Sequence, residues 1–283
     1  MKPANRSAES SATEIVRWKA GRATPFTDQV AREEPLEIRV RGRSVAVTMR
    51  TPGHDRELAA GFLLTERIVR QRKDLADIAT CRASLEPENT LNVFLRAGVE
   101  VNFAALTRHV FATSSCGLCG KATIEAVKQH FPPVVSKISV TAKTLTRLPE
   151  RMRAAQKAFS QTGGLHAAAI FDARGKMIVL REDIGRHNAV DKVVGFGLLE
   201  RKLPFDSHIL LVSGRASFEI LQKALAARIP IVCAVSAPSS LAVEFARESG
   251  QTLVGFLRGD TMNVYAGAKR IVQSPISRQT RVA

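Results

Sequence analysis

Ile209-Leu210-Leu211-Val212-Ser213-Gly214-Arg215 is a short apolar run that breaks off into a hydroxyl, a glycine and a guanidinium. Ala216 to Ala227 follows with helical spacing, Ile231 to Val235 is a second apolar run, Ser239 to Ser249 a second helix, and Thr252 to Phe256 a third run. Short apolar stretches separated by helices read as strands buried on both faces of a mostly parallel sheet. The fold class is therefore α/β.

Working outward, Ala167 to Phe171 and Met177 to Leu180 flank Asp172-Ala173-Arg174-Gly175, a hairpin that starts the sheet with an antiparallel pair. A helix from about Asn188 to Glu200 leads into the first parallel strand. Thr144 precedes a helix on which Leu145, Leu148, Met152, Ala155 and Phe159 recur at spacings of three and four. Pro149 belongs in its first turn or kinks it, and Gly163-Gly164 stops it. Nearer the N-terminus, Leu36 to Val47 alternates around Arg41-Gly42-Arg43, a hairpin turn. Asp55 is placed to cap a helix running to about Arg70, and Thr90 to Leu95 and Val99 to Phe103 form two strand candidates across Ala97-Gly98. The expected order is a disordered polar tail (1–13), a smaller N-terminal α+β domain (14–112), a cysteine loop (113–120), a connecting helix (121–135) ended by Pro132-Pro133, an α/β domain (136–273) and a loose basic tail (274–283). No internal repeat is evident.

The 283 residues are 45% hydrophobic, enough for real cores. No apolar run approaches the roughly 20 residues that span a bilayer, and Met1 to Ala12 lack the apolar centre of a secretory signal. A soluble cytoplasmic protein is expected. With 42 Lys and Arg against 26 Asp and Glu the net charge is +16, which favours anionic partners. The basic residues are spread along the chain and aromatic content is 5%, so nucleic acid is not the expected ligand; phosphate-rich small molecules or an acidic protein suit an evenly basic surface.

Four cysteines, Cys81, Cys116, Cys119 and Cys233, are too few to staple this fold, and in the cytosol they stay reduced. Only Cys116 and Cys119 lie close in sequence, in Thr113-Ser114-Ser115-Cys116-Gly117-Leu118-Cys119-Gly120. Such a pair can close a disulfide, supply half of a metal site, or let one sulfur carry a labile atom that the other resolves. A glycine after each cysteine and a helix opening at Lys121 suggest an open loop near a helix N-terminus, where peptide N–H groups and Lys121 favour a thiolate. Two inert buried thiols are the plain alternative.

In open α/β sheets ligands bind beyond the carboxyl ends of the strands. Four polar clusters fall there: Thr162-Gly163-Gly164-Leu165-His166, Glu182-Asp183-Ile184-Gly185-Arg186-His187-Asn188, Ser213-Gly214-Arg215, and Ser236-Ala237-Pro238-Ser239-Ser240. Each has a bland reading: Ser239 or Ser240 as a helix cap, His166 as a core histidine, Asp183 and Arg186 as a structural ion pair. Four together at one sheet edge argue for a site, with Arg186 and Arg215 suited to phosphate. Phe256-Leu257-Arg258-Gly259-Asp260-Thr261 closes the series, offering an aromatic face for a purine and a carboxylate for guanine N–H groups.

Taken in order, the Ser115–Gly120 cysteine segment, the Thr162–His166 turn, the run from Glu182 to Lys192, Ser213-Gly214-Arg215 and the Phe256 turn resemble the FdhD/NarQ family of formate dehydrogenase accessory sulfurtransferases, from about Glu14 to Val272. The resemblance implies a cytoplasmic sulfur carrier that takes persulfide sulfur from a cysteine desulfurase and hands it to the molybdenum cofactor, a bis(molybdopterin guanine dinucleotide), before formate dehydrogenase becomes active. It implies Cys116 as the persulfide cysteine, Cys119 as its neighbour in transfer, and Phe256, Leu257, Arg258, Gly259, Asp260 and Thr261 as the cofactor-binding segment. His166, Arg186, His187, Asn188, Ser213, Gly214 and Arg215 join that site. The cofactor is a client and not a permanent group, with GDP-like nucleotides as mimics; no metal is expected. The larger domain is expected to be cytidine deaminase-like, and the protein a homodimer.

A zinc deaminase needs His-x-Glu and Pro-Cys-x-x-Cys. Here His166 is followed by Ala167 and Ala168, and Ser115 precedes Cys116. Hydrolytic deamination is not expected. Two other classes remain in view: a non-catalytic cofactor-binding chaperone whose cysteines are structural or metal-binding, and a thiol-disulfide oxidoreductase, which expects a thioredoxin-like setting for the pair.

Overall fold

The computed structural model describes residues 9–81, 83–103 and 131–273. Its centre is a six-stranded mixed sheet built from β8 (His166–Asp172), β9 (Met177–Asp183), β10 (His208–Val212), β11 (Ile231–Ala234), β12 (Thr252–Arg258) and β13 (Thr261–Ala266), in the order β13-β12-β11-β10-β8-β9. β10, β11 and β12 run parallel, and the β8–β9 and β12–β13 hairpins close the two edges antiparallel. The continuous apolar runs follow from a core on each face. Leu210, Val212, Val232 and Ala234 enter one cluster, and Ile209, Leu211, Ile231 and Cys233 alternate into the other.

Helices α5 (Arg186–Leu199), α6 (Phe218–Ala226) and α7 (Ser240–Glu248) contribute to the first cluster. The second is covered by α2 (Ala142–Thr146) and α3 (Leu148–Ala155), through Leu145, Leu148 and Met152. The long helix expected from Thr144 is broken into these two and α4 (Lys157–Thr162). Pro149 sits in the first turn of α3, where its missing N–H costs nothing, and Gly163 ends α4 at φ 68°.

The N-terminal unit is a second sheet, order β4-β3-β6-β5, of β3 (Glu34–Val40), β4 (Arg43–Arg50), β5 (Leu75–Thr80) and β6 (Thr90–Leu95), packed on α1 (Asp55–Thr65). Arg41 and Gly42 turn the β3–β4 hairpin with φ of 51° and 74°, the left-handed pair that matches strand twist. Four expectations are corrected. A ribbon of β1 (Ser10–Lys19) and β2 (Arg22–Ala31) begins inside the stretch read as a polar tail, 1–13. Val99 to Phe103 is not a strand; the antiparallel partner of β6 is β5, whose Leu75-Ala76-Asp77-Ile78-Ala79-Thr80 alternates too weakly to stand out. Asp55 does not cap α1; His54 occupies the N-cap position without a side-chain cap bond, and the Asp55 carboxylate takes two bonds from the buried Arg50 guanidinium at 3.1 and 3.0 Å. α1 stops at Thr65, short of Arg70, because Arg67 turns left-handed at φ 59°.

The two sheets share one apolar core through α1 and α5. These helices meet backbone to backbone: a Cβ on Gly195 would lie 1.8 Å from the Glu57 carbonyl oxygen, and one on Gly61 1.9 Å from that of Asp191. Only glycine permits this approach. A short parallel pair, β7 (Val140–Thr141) with β14 (Ile271–Val272), ties the end of the described chain to the start of the α/β region. Among the described residues no helix is long and apolar enough to cross a membrane.

Candidate functional site at the sheet edge

The carboxyl ends of β9, β10, β11 and β12 and the amino end of β8 fall on one edge, because β8 is antiparallel to both its neighbours. The loops there are joined into a continuous rim. A Cβ on Gly214 would lie 3.3 Å from His166 Nδ1 and 3.9 Å from Arg186 Cβ, so the first three clusters touch. The Ala216 N–H donates to Ala237 O at 3.2 Å and the Ser239 N–H to Ala216 O at 3.1 Å, joining the third to the fourth. The Phe256 N–H donates to Ser236 O at 3.1 Å and brings in the last turn. With strands about 4.8 Å apart, the three steps from β8 to β12 set His166 and Phe256 about 14 Å from one another across the sheet. Such a rim suits an elongated ligand better than a small metabolite.

Its electrostatics are cationic. Burial lowers the His166 pKa from the ordinary histidine value, and the charges of Arg186, His187 and Arg215 lower it further against the pull of Asp183. The shift favours the neutral His166 imidazole, which can donate from one nitrogen and accept on the other. Arg186 Nε is buried with no hydrogen-bond partner, whereas Arg215 is exposed. Phe256 is half-buried with φ 50°, a conformation that strains a residue with a side chain, and the Arg258 guanidinium stands 5.4 Å from its ring centroid. Gly259 and Asp260 form the exposed turn of the β12–β13 hairpin, and Thr261 Oγ1 donates to Arg258 O at 3.1 Å.

Other residues singled out in the sequence are engaged within the fold. Asn188 Nδ2 donates to Met49 O at 2.8 Å and to Asp183 Oδ1 at 3.0 Å, while Thr48 Oγ1 donates to Asn188 Oδ1. Asp183 is fully buried and pairs with Lys192 Nζ at 2.7 Å, not with Arg186. Lys192 Nζ also donates to Thr51 O, so this pair fastens the N-terminal sheet to α5. Ser213 Oγ accepts from the Ala167 N–H at 2.9 Å, extending the β8–β10 ladder. His187 Nε2 lies 3.0 Å from Glu219 Oε2, and this bond lowers the Glu219 pKa. Ser239 accepts from the Ala242 N–H as the cap of α7. The Leu257 side chain is fully buried in the second core cluster. Glu219, paired with His187, and Tyr265 of β13, which packs beside Gly255, are not among the residues singled out in the sequence. A single tyrosine after a tight turn was the available signal for the second.

Cys116, Cys119, the 113–120 loop and the helix expected from Lys121 lie outside the described residues, as does the basic tail, 274–283. The other two cysteines are buried and free, and burial raises the Cys233 thiol far above the ordinary cysteine range. Among the described residues no cluster of three or more His, Cys, Asp or Glu is placed to hold a metal ion.

A mixed α/β sheet with a polar, cationic rim at its carboxyl edge, fused through one core to a smaller α+β sheet, defines the class of protein. Residues 31–272 match the FdhD/NarQ family, and the chain belongs to it. It is 52% identical over 268 residues to the sulfur carrier protein FdhD of Mycolicibacterium paratuberculosis, covering 93% of this chain and 98% of that protein. It is 41% identical over 264 residues to the protein of the same name from Saccharolobus solfataricus, covering 91% and 96%. The fold matches the crystal structure of a protein from Desulfotalea psychrophila described as a formate dehydrogenase accessory protein, with TM-score 0.75, 24% identity, and coverage of 93% of this chain and 100% of that one.

Proposed function

We propose that this chain is a cytoplasmic sulfur carrier that accepts sulfur as a persulfide on Cys116 from a cysteine desulfurase and delivers it to a bis(molybdopterin guanine dinucleotide) molybdenum cofactor for formate dehydrogenase. The observation that carries this reading is the similarity to proteins named sulfur carriers along nearly their whole length, 98% of one and 96% of another, in a chain with one closely spaced thiol pair. The rim adds chemical support. Guanidinium groups at Arg186, Arg215 and Arg258 and the Phe256 ring suit the phosphates and purines of a dinucleotide, and the span of about 14 Å suits its length.

Loading consists of attack by the Cys116 thiolate on the outer sulfur of the donor persulfide, expelling the donor thiolate. Transfer then takes one of two routes: attack by the acceptor on the outer sulfur releases the Cys116 thiolate, or attack by the Cys119 thiolate on the Cys116 sulfur expels hydrosulfide to the acceptor and closes a Cys116–Cys119 disulfide. The same reading takes the larger unit as cytidine deaminase-like, supported by an antiparallel hairpin followed by parallel strands, and the molecule as a homodimer.

Mass spectrometry after incubation with a cysteine desulfurase and cysteine tests the proposal. The expected result is a gain of one sulfur on Cys116, absent in Cys116→Ala. A Cys116→Ala protein that still matures formate dehydrogenase refutes it in favour of a cofactor chaperone with structural cysteines. GDP serves as the probe for the rim, and Arg186→Lys is expected to weaken it about tenfold by calorimetry.

A further inference from the structure

An open cleft of about 620 Å³ lies between the N-terminal sheet and the ends of three helices, away from the sheet-edge rim. Its floor is apolar, from Leu64, Leu75, Leu198 and Ala227. Its walls carry Arg70, Arg72, Lys73, Arg96, Arg201 and Arg228, and none of the six is ion-paired among the described residues. The neighbouring Asp74 carboxylate is occupied by the backbone, accepting from the N–H groups of Arg70 and Gln71 at 2.8 and 3.2 Å.

Three of the helix ends are built alike. α1, α5 and α6 each close with paired bonds from the two residues past the cap, and the left-handed position is Arg67, Arg201 and Arg228, at φ of 59°, 55° and 63°. Glycine is the usual occupant there because a Cβ is strained. Arginine three times over has one bland cause, compensation of helix dipoles. At about half a negative charge per helix end, the three ends balance between one and two cations and leave the rest uncompensated. The same carbonyl ends offer no free N–H groups, so the cleft lacks the backbone cradle that tight phosphate sites use. Long, mostly exposed cationic side chains around an apolar floor match carboxylates spread along a peptide. The position is also telling. Arg228 donates to the carbonyls of Pro132 and Pro133, and the Arg67 guanidinium lies 5.5 Å from the Phe131 ring, so the chain that follows residues 104–130 is pinned at this cleft.

We propose that this cleft docks an acidic segment of the protein that donates sulfur. Naming the donor as partner rests on the sulfur-carrier reading; the preference for an acidic peptide does not. Binding of a fluorescein-labelled oligoglutamate peptide is measured by anisotropy at low salt. Arg70→Glu, Lys73→Glu and Arg201→Glu together are expected to weaken it tenfold or more, against no more than twofold for Lys19→Glu, Arg22→Glu and Lys269→Glu, which change net charge equally. Equal losses in the two variants, or sodium tripolyphosphate binding tightly where the peptide does not, overturn the proposal.

The donor is tested by the rate of Cys116 persulfide formation. Loading by a desulfurase with cysteine is expected to slow about tenfold in the cleft variant and to lose that difference at high salt. Loading by inorganic polysulfide, in which the thiolate displaces a shorter polysulfide, is expected to be unchanged. Equal desulfurase rates overturn the donor assignment. A wild-type protein that never loads removes the sulfur-carrier reading, and the peptide measurement then decides the cleft alone.

Discussion

Gly195→Ala sets two effects of opposite sign against each other. In a helix interior alanine is favoured over glycine by about 1 kcal/mol, so propensity alone predicts a more stable protein. The contact between α1 and α5 predicts the reverse. The new Cβ would stand 1.8 Å from the Glu57 carbonyl oxygen, well inside the 3.0 Å that real Cβ contacts respect, and the obstacle is backbone, which cannot change rotamer. The helices must part by about 1.2 Å, loosening the core shared by the two sheets, at the upper end of overpacking costs, ~3 kcal/mol. The net loss is about 2 kcal/mol, or about 4 °C in melting temperature for a chain of this size. Gly61→Ala meets the Asp191 carbonyl at 1.9 Å and is expected to behave likewise. The double variant should lose less than the sum, because the first alanine already opens the gap that the second needs. Urea unfolding followed by circular dichroism, with calorimetry, measures all three. A Gly195→Ala protein that melts at or above the wild type refutes the close approach.

Lys192→Met leaves the fully buried Asp183 carboxylate without its cation and is expected to cost about 3–5 kcal/mol by denaturant titration, with Asp183→Asn partly restoring stability in the double variant. The His166 pKa is lowered in the fold, so its contribution to stability is present above about pH 6.5 and is lost as pH falls below that value, where the unfolded histidine binds a proton that the folded one resists. Melting curves between pH 7.5 and 5.5 should therefore fall less steeply for His166→Gln than for the wild type. Cys233 is fully buried with its thiol held protonated, and iodoacetamide followed by peptide mapping should modify it only after denaturation.

The central sheet was legible because β10 and β11 are apolar at successive positions and are bounded by polar turns, a pattern that two opposed cores impose. The β1–β2 ribbon was not, since its sides are largely exposed and Ser10 to Lys19 carries no buried stripe to read. β5 stayed hidden for a related reason: only Leu75 and Ile78 of its six residues are buried. At the rim, the polar clusters were visible as departures from the apolar pattern, but side-chain direction was not. Nothing in Ser213-Gly214-Arg215 says that Ser213 bonds backwards to Ala167 while Arg215 faces solvent. Nor does the sequence say that Asn188 and Asp183 bond to Met49 and Thr51, more than a hundred residues away along the chain.

That last arrangement bears on how genetics of this protein should be interpreted. The run from Glu182 to Lys192 is a clasp as well as a rim: Asp183, Asn188 and Lys192 grip Met49 and Thr51, while Arg186 lies at the edge, close to Gly214 as His166 is. A screen scored by loss of activity would flag both sets equally. Some of its hits would be opened clasps and others emptied seats, and only a second readout of abundance or melting would tell them apart.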